Sequence, residues 1–172
     1  NSFIFSLEED LPRQIYISGF RMIFLFEKSI IEAGSYPANL NQSFQEAFFN
    51  GTIFGKEEEL MNGVGFSDIQ NSINEKASKI NVNVSILNPS ISVLQDDPWH
   101  VKIVLDSQLI VSDKSDIAQW SKNKSVIVYI SVENFEDPLY AVGTSGALTN
   151  HINKTPYLLF VSGNDISNLS EH

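Results

Sequence analysis

Near residue 80 the spacing of apolar residues changes from the three-and-four repeat of a helix to the strict alternation of a strand. No helical repeat of comparable length follows. A chain that places its helices first and its strands afterwards cannot interleave them as βαβ crossovers. It is restricted to α+β architectures, here a long N-terminal helix and shorter helices packed on an antiparallel β-sheet.

The helical half begins with residues 6–33. Ser6-Leu7-Glu8-Glu9 has the form of a capping box, with acidic side chains where the helix dipole favours them. Ile17, Phe20, Phe24 and Ile31 recur at helical spacing and so share a face, and a helix apolar around this much of its circumference is expected to be buried centrally. Leu11, Ile15, Met22 and Phe26 widen it, leaving Arg13, Gln14, Arg21, Lys28 and Glu32 for water. Gly34 ends the helix as a left-handed cap, and Pro37 follows. Pro12 allows two readings: a helix starting near it, or a longer helix that arrives from upstream and kinks there. Shorter helices are expected over 41–49 and 56–61, before Gly63 and Gly65 break the chain. Ser67-Asp68-Ile69-Gln70 is a second capping-box pattern, followed by the stripe Ile69, Ile73, Ala77 and Ile80.

In the second half Ile80, Val82, Val84 and Ile86 alternate with Asn81, Asn83 and Ser85. Asn88-Pro89-Ser90 reads as a turn into a strand over Ile91 to Leu94. Trp99, Val101, Ile103 and Leu105 form the next inward row, and Asp106-Ser107 reads as a tight link to Leu109 to Val111. Asp116 is expected to cap a helical turn at Ile117 to Trp120. Val126, Val128, Ile130 and Val132 define a further strand, and Tyr157 to Val161 a last one. Short links imply antiparallel pairing, and clean alternation implies one wet face. The expected organisation is one domain over 1–172: a helical half 1–80, a sheet half 81–161 and a C-terminal tail or linker 162–172.

Composition excludes several functions. A formal net charge of −10 without a Lys/Arg cluster repels a phosphate backbone, so no nucleic-acid partner is expected. The absence of cysteine removes disulfides, thiolate zinc sites and thiol catalysis. No apolar run exceeds that of Met22 to Phe26, far short of the roughly 18 residues of a membrane span. Any membrane association is therefore expected through a segment outside these residues. The start at Asn1 inside an apolar stretch, Phe3-Ile4-Phe5, reads as a fragment or a processed product.

Six N-x-[ST] sequons occur among 16 asparagines: Asn41, Asn50, Asn83, Asn123, Asn153 and Asn168. About two or three would arise by chance at this Ser and Thr content, which makes the six candidate glycosylation sites or a mark of an Asn/Ser-rich composition.

The motifs that carry chemistry are missing or incomplete. His100, His151 and His172 have no metal-ligand spacing, and His100 is expected on the wet face of a strand. The acidic runs Glu8-Glu9-Asp10, Glu57-Glu58-Glu59, Asp96-Asp97 and Glu136-Asp137 read as solvated helix starts and turns. Asp113-Lys114-Ser115-Asp116 lacks the ligand alternation of a calcium loop. Gly143-Thr144-Ser145-Gly146-Ala147 has Ala147 where a nucleophile elbow needs glycine. No catalytic residue, metal or cofactor is expected. Asp96-Asp97-Pro98-Trp99 and Glu136-Asp137-Pro138-Leu139-Tyr140 share an acidic pair and a proline before an aromatic. They read mainly as turns, with Trp99 and Tyr140 as a candidate carbohydrate- or partner-binding surface.

Four stretches carry a resemblance: Phe5-Ser6-Leu7-Glu8-Glu9-Asp10-Leu11-Pro12-Arg13-Gln14, Asp97-Pro98-Trp99, Glu136-Asp137-Pro138-Leu139-Tyr140 and Ile152-Asn153-Lys154-Thr155-Pro156-Tyr157. With the order of elements, they resemble membrane-anchored archaeal envelope proteins of type IV pilin-like architecture. The resemblance implies an exterior domain at the cell surface, anchored by an upstream transmembrane helix. Its implied role is structural or adhesive, with other cell-surface or filament subunits as partners. A carbohydrate- or protein-binding module and a hydrolase are the alternatives. The module requires Trp99 and Tyr140 exposed together. The hydrolase requires Ser145 or paired acids converging with His151.

Overall fold

The computed structural model describes residues 2–115, 117–135 and 151–153. Helix α1 spans Ser2–Ala33, α2 Leu40–Asn50 and α3 Phe66–Ser78. A small hairpin, β1 Thr52–Ile53 and β2 Lys56–Glu57, and a 3₁₀ turn, Glu59–Met61, lie between α2 and α3. Three long strands follow: β3 Val82–Asp97, β4 His100–Asp113 and β5 Gln119–Ser131. They form an antiparallel sheet in the order β3-β4-β5. The described fold is α+β, with the helical half ending where the periodicity changes.

Helix α1 differs from its expected form in two respects. It is already helical at Ser2, so Ser6-Leu7-Glu8-Glu9 lies inside it and caps nothing. Pro12 is also internal, ten residues into α1, so the helix does not begin near it. The second difference is the buried face. Leu7, Leu11, Ile15, Ser18, Met22 and Phe26 are buried, whereas Ile17, Phe20 and Phe24 are 47%, 40% and 46% exposed. At about 100° per residue, the Ile17–Phe20–Phe24 stripe lies nearly opposite the buried one. Small side chains decide the choice. A Cβ on Gly19 would lie 2.7 Å from Ile130 Cδ1, so its absence lets the backbone of α1 settle on the sheet. A face led by phenylalanine would hold it away.

The shorter elements follow local signals. Asn39 caps α2, its Oδ1 accepting from the Gln42 N–H at 3.1 Å, and Gly51 closes it with φ +71°. The helix expected over 56–61 is instead the hairpin and the 3₁₀ turn. Phe54 and Gly55 both have positive φ, 52° and 76°, as a two-residue hairpin turn of the primed kind requires. The cap of α3 is also shifted. Gly65 is the N-cap, and its N–H donates to Asp68 Oδ2 at 3.1 Å. Ile69, Ile73 and Ala77 are buried, while Ile80 lies beyond the helix and is exposed.

Three predicted breaks in the sheet are absent or differ. Asn88-Pro89-Ser90 does not reverse the chain. Between the pairs Leu87↔Gln108 and Ser90↔Asp106 it adds one residue to β3, with Asn88 at φ +48°. The resulting bulge restores parity, so Ile86 before it and Ile91 after it face the same core. Asp106-Ser107 lies within the unbroken β4, paired with Ser125 and Lys124. Ile117 and Ala118 form a bend, not a helical turn, with their N–H groups directed at Asp113 Oδ1 (3.0 and 3.5 Å). Asp116 and the strand predicted over 157–161 lie outside the described residues.

The core lies between the helices and one face of the sheet. Val84, Ile86 and Ile91 of β3, Ile103, Leu105 and Leu109 of β4, and Val126, Val128 and Ile130 of β5 meet the apolar sides of the helices. Helix α1 lies over β4 and β5, while α2 and α3 lie over β3. Asp10 binds Lys76 of α3 at 2.9 Å, and Glu8 binds Lys124 of β5 at 3.2 Å, fixing the first third of α1 to both neighbours.

Candidate functional site

The described residues present surfaces, not a convergent centre. His100 lies toward the wet side, as its alternation predicts, with Nδ1 3.0 Å from Asp97 Oδ1. The same carboxylate oxygen accepts from the Trp99 N–H at 2.7 Å. Asp97 therefore closes the β3–β4 turn, and the Trp99 N–H, followed by His100, holds its carboxyl below the usual value of 3.8. Trp99 is half-buried in that turn. Tyr140, its partner in the predicted binding surface, lies outside the described residues, as do Ser145 and the rest of the 143–147 segment. His151 is exposed, and its Nδ1 donates to the Asn134 carbonyl at 3.0 Å. Among the described residues no three His, Asp or Glu side chains gather as metal ligands. No described helix is long and apolar enough to cross a membrane.

Of the six sequon asparagines, Asn41, Asn50, Asn83, Asn123 and Asn153 are described and exposed. Asn168 lies outside the described residues. Their surroundings differ. Asn41 ties α2 to the sheet, its Oδ1 accepting from the Val93 N–H at 2.8 Å. Asn153 Nδ2 donates to the His151 carbonyl at 3.2 Å. Asn83 and Asn123 project from the sheet face opposite the helices, paired across the strands with Ser112 and Gln108. The Ser125 hydroxyl of the Asn123 sequon donates to Asp106 Oδ1.

That outward face is not uniformly polar. Toward the β3–β4 turn, the rows Leu94↔Lys102↔Tyr129 and Val104↔Ile127 place apolar groups side by side. Leu94, Ile127 and Tyr129 are 47%, 47% and 55% exposed, and Lys102 Nζ lies 6.0 Å from the Tyr129 ring centre. The face thus has an amide-rich end and an apolar end. Period-two alternation alone marks this face as the wet one and does not distinguish its two ends. The signal for the apolar end was Leu94, Val104, Ile127 and Tyr129 themselves.

The second surface is the outward stripe of α1. Phe20, Phe24 and Ile31 line one side of a groove of about 580 Å³, and Asn134, Phe135 and His151 line the other. Phe20 meets Phe135 edge to face, with ring centres 5.5 Å apart. Comparison with family models, curated proteins and solved structures finds no match to this chain.

Proposed function

We propose that the chain is the exterior domain of a pilin-like cell-surface protein, with a structural or adhesive role and no active site. In this reading it works through its surface, beside other surface or filament subunits, and is held by an upstream apolar helix. The observation that carries the proposal is the one-sided layering. Helices α1, α2 and α3 pack on one face of the sheet, while the other carries the sequon residues Asn83 and Asn123 toward one end and exposes Leu94, Ile127 and Tyr129 toward the other. Exposed apolar groups grouped on a rigid sheet suit contact with another macromolecule better than catalysis on a small substrate. The length of α1, 32 residues laid along an antiparallel sheet, is in keeping with the pilin-like part of the reading.

The test is to express the full-length gene product, separate membranes from soluble material and treat intact cells with protease. Membrane association with cleavage from the outside supports the proposal. A soluble product protected inside the cell overturns it.

A further inference from the structure

We propose that the outward face of the sheet docks on the same face of a second copy of this chain, about a twofold axis along the row Ser92↔Val104↔Ile127. The inference rests on the reading of this face as a contact surface and names its partner. Phe135 and Ile152 pack against the core on the helix side, so the described chain leaves β5 away from this face.

Three features of the face favour a copy of itself. The first is charge. The rows Leu94↔Lys102↔Tyr129, Ser92↔Val104↔Ile127 and Ser90↔Asp106↔Ser125 hold one cation and one anion. They carry no net charge in a chain of −10, so two acidic copies can meet here without opposing like charges. The second is symmetry. Lys102 and Asp106 lie two residues to either side of Val104 in β4, about 7 Å along the strand in each direction. Rotation about the middle row runs β4 antiparallel to its copy and sets Lys102 over the partner's Asp106, twice. An axis along the strands would instead oppose the two Lys102 side chains. Asp106 has no ion-pair partner among the described residues. Lys102 Nζ is 3.7 Å from Asp96 Oδ2, and its three N–H donors allow a second carboxylate. The third is shape. The same rotation sets the row of Leu94, Lys102 and Tyr129 on the smaller side chains of Ser90, Asp106 and Ser125, and large-on-small packing lets facing layers interdigitate. Val104 and Ile127 meet their own counterparts on the axis. At ordinary strand dimensions the patch measures about 14 by 17 Å, below the standard interface size, so the association is weak.

The test uses the 172-residue chain made in a host that adds no glycans, because the sequon residue Asn123 lies in the next row, Leu87↔Gln108↔Asn123. Sedimentation equilibrium from about 10 μM to 1 mM is expected to show a monomer–dimer equilibrium. Lys102→Glu and Asp106→Lys are each expected to weaken it about tenfold or more, since each sets like charges opposite one another at both symmetric contacts. Mixed in equal amounts, the two variants regain opposite charges at both contacts, so a heterodimer close in strength to the native dimer is expected. That recovery also shows that both variants are folded. A monomer throughout the range would overturn the proposal, while the cell-surface reading would still stand or fall on the protease experiment. A native dimer that neither variant weakens would overturn it by placing the contact elsewhere. So would a mixture that recovers nothing although both variants keep the native circular dichroism.

Discussion

Gly19 of α1 lies directly over Ile130 of β5, so close that a methyl group on its Cα would come within 2.7 Å of Ile130 Cδ1 and 3.1 Å of Ile103 Cγ1. Both isoleucines are fully buried, so neither can swing aside into water. Two effects of Gly19→Ala oppose each other. Alanine favours the helix by about 1 kcal/mol, while overpacking a filled core costs about 1–3 kcal/mol. The crowding should dominate, giving a net loss of about 1–2 kcal/mol in urea unfolding. Adding Ile130→Val, which removes the obstructing methyl, should recover part of that loss.

The two phenylalanine faces of α1 should respond differently to truncation. Phe26 is 3% exposed and stacks on Phe44 with ring centres 4.5 Å apart. Phe26→Ala should cost about 3–5 kcal/mol, the range for emptying a buried aromatic site. Phe20 is 40% exposed and retains one edge contact, with Phe135. Within the described contacts, Phe20→Ala should cost about 1–2 kcal/mol. Equal losses from the two variants, measured by denaturant titration, would contradict the burial pattern of α1.

The contrast between those faces shows how far the sequence could be read. The change of period at residue 80, the Gly34 cap and the inward rows of Val126, Val128 and Ile130 were legible because each depends on local spacing or backbone preference. The orientation of α1 was not. It has apolar side chains on opposite sides, and the choice between them depends on Gly19 meeting Ile130, more than a hundred residues away. Asn88-Pro89-Ser90 failed for a related reason. Its residue types suit both a turn and a bulge, and only pairing with Gln108 and Asp106 decides between them. The apolar end of the outward face, with Leu94, Ile127 and Tyr129, was not legible either. Alternation identifies two faces without showing what covers each.

Ser18 offers a test of polar burial beneath α1. It is fully buried, and its hydroxyl reaches the Val64 carbonyl of the loop before α3 as well as the Gln14 carbonyl at 3.0 Å. Gln14 Oε1 nearby is buried without a hydrogen-bond partner among the described residues. Ser18→Ala leaves the Val64 carbonyl without this donor and should cost about 1–2 kcal/mol. Ser18→Val should cost more, because it adds volume as well as removing the donor. Hydrogen exchange at residues 62–66 should accelerate in Ser18→Ala. Unchanged exchange there would show that the hydroxyl does not hold the loop.

The turn at Asp97 should make a small contribution to stability that disappears in acid. The Trp99 N–H is the main group holding the Asp97 carboxyl below its usual 3.8, with the His100 contacts next. A carboxyl lowered in the folded chain stabilises the fold while ionised. That contribution is complete above the unfolded value and is lost as pH falls through the folded one. The window therefore lies below about pH 4. Carboxyl carbon NMR should give Asp97 a midpoint below 3.8. Asp97→Asn retains an oxygen to accept from Trp99 but cannot ionise, so it should remove this local titration and leave the rest of the acid unfolding curve in place. A midpoint at or above the usual value would show that the turn does not favour the charged carboxylate, and Asp97 would then close it by geometry alone.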